Sequence, residues 1–116
     1  MERSDLERQA ARFISRFLVS EQPTRDTMRA EGAALANRLR QAAMDLAMSR
    51  ATEFSPQIPR YHLLAAKVAL LAHGPDSSAL HSFEQDIRYY RGFESALDLV
   101  EEYEAFREAY TASRGS

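Results

Sequence analysis

Apolar positions recur along this chain at intervals of three and four residues, the spacing of one face of a helix. Leu6, Ala10, Phe13, Ile14, Phe17 and Leu18 form the first such face. Ser4-Asp5-Leu6-Glu7 has the S-x-x-E form of a capping box, so the first helix is predicted over residues 5 to about 20. Glu21-Gln22-Pro23 ends it, and Thr24 is the expected N-cap of a long second helix over about 25–52. The seam of that helix is Met28, Gly32, Leu35, Leu39, Ala42 and Leu46, widened by Ala33, Ala34, Ala36, Ala43 and Ala47. Glycine inside a helix costs about 1 kcal/mol relative to alanine. Gly32 therefore implies either a closely approaching partner helix or a kink. Two prolines predict a loop over 53–59, with Phe54 and Ile58 plugging the end of the core.

The pattern changes at Tyr61–His73, where only His62, Lys67 and His73 interrupt a run of leucine, alanine and valine. A helix apolar all round is buried on all sides, so this segment is predicted to be the centre of the molecule. Gly74-Pro75 stops it. Asp76 or Ser77 caps a fourth helix carrying Leu80, Phe83, Ile87 and Tyr90, which Gly92 interrupts. Ser95 to Asp98 repeats the capping logic for a fifth helix reaching about residue 110, striped with Ala96, Leu99, Val100, Tyr103, Phe106 and Tyr110. The fold class is all-α: a compact five- to six-helix bundle around a buried central helix at about 60–73. Residues 1–112 form one helical domain and 113–116 a flexible tail.

Composition bounds the chemistry. The 116 residues suffice for one domain, and such a chain buries roughly 65% of its extended surface. There is no cysteine, which removes disulfides and thiolate metal sites. No positively charged leader followed by an apolar stretch opens the chain. The central apolar run is too short for the ~20 residues a bilayer span needs. The expected location is the cytoplasm, with no membrane partner. Net charge is −2, with ten arginines against eight acids over residues 1–60 and one lysine and four arginines against nine acids over 61–116. Neither half has the footprint of a nucleic-acid binder, and no direct nucleic-acid contact is expected.

His62, His73 and His81 lack the paired spacing of helical metal sites, so no metal or cofactor is expected. His62 and His73 read as the wet ends of the central helix. The serines at 4, 77, 78 and 95 sit at cap-like positions, and no phosphate-cradling loop or nucleophile motif is present. Glu84 with Asp86, and Glu101 with Glu102, fall on faces read as solvated, where paired carboxylates do no acid–base work. The chain reads as a non-enzyme. Arg25, Arg29, Arg38 and Arg40 form either a small basic patch or a salt-bridged face, the second being favoured by the absence of basic blocks.

Two clusters are candidates for partner binding. Arg88, Tyr89, Arg91 and Phe93 gather the residue types of interface hot spots, or else Tyr89 and Phe93 brace the bend at Gly92. Glu101, Glu102 and Glu104 belong to an acidic last helix, which is either an ordinary polar face or a docking surface for a basic partner.

Ala10-Ala11-Arg12-Phe13-Ile14, followed one helix later by Ala36-Asn37-Arg38-Leu39-Arg40-Gln41, resembles the opening of small all-helical anti-CRISPR proteins of Pseudomonas phages. The resemblance covers the first two helices and fades after Thr52. The tryptophans of the later part of that family have no counterpart here, so it transfers no site residue. It implies a non-enzymatic inhibitor of type I CRISPR interference in the host bacterial cytoplasm. The implied partner is the helicase-nuclease or the surveillance complex. The alternative reading of the chain is a small homodimeric bacterial regulator or secretion chaperone, burying the alanine-glycine seam of the second helix between two copies.

Overall fold

A computed structural model describes residues 3–49 and 56–115. It contains five helices: α1 (Arg3–Val19), α2 (Gln22–Ser49), α3 (Gln57–His73), α4 (Ser78–Tyr89) and α5 (Leu97–Gly115). Two 3-10 turns, Tyr90–Gly92 and Glu94–Ala96, join α4 to α5. The all-α bundle is the fold class that the periodicity predicts. α3 touches each of the other four helices, most extensively α2. Leu63, Ala65, Ala66, Val68, Ala69, Leu70 and Leu71 are at most 2% exposed, as an all-round apolar helix requires. Each large apolar side chain buried in this way contributes about 1.5–3 kcal/mol relative to leaving it in water.

Small residues set the spacing of the layers. A Cβ built on Gly32 would lie 2.5 Å from Phe13 Cζ and 3.0 Å from Ala72 Cβ. Close approach of α1 and α3 to α2, rather than a kink, therefore explains this glycine. Ala36 and Ala43 on the same seam are fully buried.

Several element boundaries differ from the sequence reading. α2 begins at Gln22 rather than after Thr24, and α3 begins at Gln57, so Ile58 lies in a helix and not in a loop. The reason is shared. Pro23 and Pro59 occupy first turns, where a missing N–H costs nothing because that donor has no intrahelical partner. Pro23 and Pro59 thus open helices instead of breaking them. Arg25 N–H donates to the Glu21 carbonyl at 3.0 Å, closing the first turn of α2. Ser4 lies inside α1 rather than at its cap, and Ser95 lies in a 3-10 turn. α5 runs to Gly115, past the predicted end near Tyr110. Phe54, and the predicted extension of α2 to residue 52, lie outside the described residues.

The other stop and start signals act as read. Gly74 adopts φ +90° and donates its N–H to the Leu70 carbonyl at 2.9 Å, ending α3. Ser77 is the N-cap of α4, its side chain accepting from the Ala79 N–H at 3.1 Å. None of the described helices is long and apolar enough to cross a membrane.

Candidate docking surface

α4 ends at Tyr89 and the chain tightens into a 3-10 turn through Gly92. Phe93 then takes an extended conformation, φ −118° and ψ 109°, which reverses the chain and folds its ring back toward α4. The Tyr89 and Phe93 ring centroids are 5.0 Å apart, and Tyr90 lies 5.5 Å from Tyr89 and 6.0 Å from Phe93. Tyr90 belongs to the core at 5% exposed, whereas Tyr89 is 67% and Phe93 37% exposed. The burial of Tyr90 is what the helical spacing of α4 predicts. The bracing and the exposure coexist, so the two aromatic rings are held in place and still presented to solvent.

These rings form one wall of a mainly apolar groove of about 340 Å³, completed by Ala47 of α2 and by Ile58 and His62 of α3. Met44, one turn before Ala47 on α2, and Met48, the residue after it, are both exposed apolar side chains near this end of the helix. Preformed concave apolar surfaces with a few fixed polar groups are the usual form of a binding site.

The polar groups of this groove come from Asp86 and its neighbours. Arg40 donates to the Asp86 carboxylate at 2.9–3.0 Å, and its guanidinium lies 3.8 Å from the Phe83 ring centroid. His62 Nδ1 stands 3.4 Å from the same carboxylate, without the alignment of a full hydrogen bond. Burial pushes the Asp86 carboxyl up, but His62 and Arg40 outweigh it and hold its pKa below 3.8. Burial, with help from the Asp86 charge and from Tyr89, pushes the Tyr90 phenol up to about 12. The groove therefore carries a fixed carboxylate and a neutral phenol near neutral pH. His62 is a flank of the groove rather than a wet helix end, and Asp86 is half-buried rather than solvated.

Glu84 corrects the same reading. Its side chain is only 14% exposed. It accepts from the Tyr103 hydroxyl at 2.7 Å and from Arg107, which also donates to the Pro75 carbonyl at 3.1 Å. Burial first, and the Glu84 charge after it, raise the Tyr103 phenol far above its ordinary value. This network fastens α5 to α4.

The candidate residues separate onto three surfaces. Tyr89 and Phe93 face the apolar groove. Arg88, Arg91 and Glu104 line a second cleft of about 210 Å³ between α4 and α5, where Arg91 and Glu104 form an ion pair. Glu102 pairs with Lys67 of α3 at 2.6 Å, and the Lys67 ammonium lies 5.1 Å from the Phe106 ring centroid. Glu101 stays exposed. Two of the three named acids of α5 are thus engaged within the chain. The face of α5 opposite its core stripe carries Asp98, Glu101 and Glu108 instead, with Ala105 between them.

Sequence reasoning missed Ala47, Ile58, His62 and Asp86 as companions of the aromatic cluster. They come from three separate elements, so no single helical period links them all, although Ile58 and His62 lie four apart on α3 and Asp86 lies one turn before Tyr89 and Tyr90. Met44 and Met48, placed off the seam of α2, were the only local sign of an apolar surface there.

The sequence matches no protein-family model and no curated protein, and the fold matches no solved structure.

Proposed function

We propose that this chain is a non-catalytic protein inhibitor that docks onto the type I CRISPR effector machinery, with the helicase-nuclease as its target. The observation that carries the docking part is the preformed groove between α2, α3 and α4, with Tyr89 and Phe93 exposed at its edge. Braced aromatics beside an apolar concavity lose little conformational entropy on binding and are typical hot spots. The target itself rests on the resemblance of residues 10–14 and 36–41. Of these, Ala10, Phe13, Ala36 and Leu39 are buried, so the shared pattern is chiefly one of helix packing. Action inside the host bacterial cytoplasm follows from this reading.

The homodimeric regulator or chaperone would bury the α2 seam between copies. That seam is filled within one chain by α1 and α3, and a second copy would need another face.

Size-exclusion chromatography with light scattering tests the proposal. The purified chain is mixed separately with a type I helicase-nuclease and with the surveillance complex. Co-elution with the helicase-nuclease is the expected result. Co-elution with the surveillance complex alone would replace the target, and a shift with neither would overturn the inhibitor reading for both.

A further inference from the structure

The arginines of the first two helices divide by what they hold. Arg25 donates to the Phe17 and Leu18 carbonyls at 3.0 and 3.1 Å, closing the end of α1. Arg29 donates to the Leu71 and Ala72 carbonyls at 3.3 and 3.2 Å, closing the end of α3. Arg40 holds Asp86. These three are accounted for by the fold. Arg12, Arg16 and Arg38 are exposed, and none of them meets a carboxylate among the described residues. All three line one cleft of about 120 Å³ between α1 and α2, with Phe13 and Leu35 at its floor and Glu31 and Gln9 on its walls.

We propose that this cleft is a second docking surface, whose occupant is an acidic helical segment of a protein partner. It is separate from the aromatic groove and does not depend on what binds there. Three guanidinium groups against one carboxylate leave the cleft with a local excess of positive charge. Arg12 and Arg16 lie one turn apart on α1, so carboxylates one turn apart on a partner helix meet both. A guanidinium fork donates two parallel hydrogen bonds to a carboxylate, which fixes register as well as charge. The apolar floor of Phe13 and Leu35 suits an aliphatic side chain between the acids. Arg16 also lies in the last turn of α1, where a cation is favoured by the helix dipole. That role leaves its guanidinium head open to a ligand.

Charge and extent favour a protein over a nucleic acid. A phosphate track draws its affinity from many contacts at once, on the order of six to ten. Beyond this cleft Arg25, Arg29 and Arg40 are occupied, and Arg8 faces Asp5 at 3.6 Å. The cationic surface is short, which fits a compact group of carboxylates.

The test uses a helical peptide of about 20 residues with glutamates one turn apart and leucines on the adjacent stripe, its glutamine counterpart, and a single-stranded oligonucleotide of similar length. Binding to the full chain is followed by fluorescence anisotropy. The glutamate peptide is expected to bind, and the glutamine peptide to bind about tenfold more weakly or not at all. Raising salt from about 50 to about 300 mM should weaken the glutamate complex, as exposed charge pairs require. The triple variant Arg12→Gln, Arg16→Gln, Arg38→Gln should lose the difference between the peptides while keeping its circular dichroism and Tm. Equal binding of the two peptides, or full binding by the triple variant, would overturn the proposal. Tighter binding of the oligonucleotide than of the glutamate peptide would make this a phosphate surface and overturn it equally.

Discussion

Gly32 and Asp86 show how single side chains set the limits of this molecule. An alanine at position 32 gains about 1 kcal/mol of helix propensity but must displace the Phe13 ring and press on Ala72, and overpacking of a tight core costs about 1–3 kcal/mol. Gly32→Ala is therefore expected to be destabilising by about 1 kcal/mol in urea unfolding. A stabilised variant would mean that α1 does not pack there. Asp86 gives a pH dependence with a definite sign. Its folded pKa lies below the ordinary 3.8, so folding favours the charged form. That contribution is fully present above the ordinary value and is lost as pH falls through the lower folded value. Asp86→Asn should be less stable than the parent at pH 7 by about 1–2 kcal/mol, and the gap should close as the pH is taken below 3.8. A gap that stays constant down to full protonation would remove the Arg40–Asp86–His62 contact from the account.

Between elements, arginine does what capping side chains did in the sequence reading. The first turns of α2 reach both the end of α1, through Arg25, and the end of α3, through Arg29. Each guanidinium satisfies carbonyls that have no intrahelical donor, at the negative end of a helix dipole. Arg29→Ala should cost about 1–2 kcal/mol, and native-state hydrogen exchange should speed up at the last turn of α3 before it does elsewhere. Uniform exchange across the bundle would contradict a local cap. This explains which parts of the fold were legible. The run from Tyr61 to His73 announces a central helix because its burial is written in residue type. The starts of α2 and α3 were misplaced because proline carries two meanings, a break inside a helix and an opening in its first turn. Arg25 and Arg29 read as surface charge because their acceptors are backbone carbonyls, which leave no mark in a sequence.

For the molecule as a whole, the arrangement separates its surfaces around α3. A cleft whose arginines meet no carboxylate among the described residues lies between α1 and α2, an acidic stripe lies on α5, and the aromatic groove opens between α2, α3 and α4. The Arg88–Phe93 cluster was legible as a local concentration of arginine and aromatic residues, and Tyr90 as a member of the core stripe of α4. Its division into a groove-facing pair and a cleft-facing pair was not, since that depends on the 3-10 reversal after Tyr89. The acidic helix was legible as charge, but Glu102 and Glu104 meet Lys67 and Arg91 only after folding. The central claim is that the braced aromatics of the groove are the docking anchors. Its most direct test is calorimetric titration of a type I helicase-nuclease with the parent chain and with the Tyr89→Ala, Phe93→Ala double variant. The account predicts a loss of affinity of at least about tenfold, as removal of hot-spot anchors produces, with Tm nearly unchanged. Undiminished binding by the double variant, or a collapse of Tm that places both rings in the core, would contradict it.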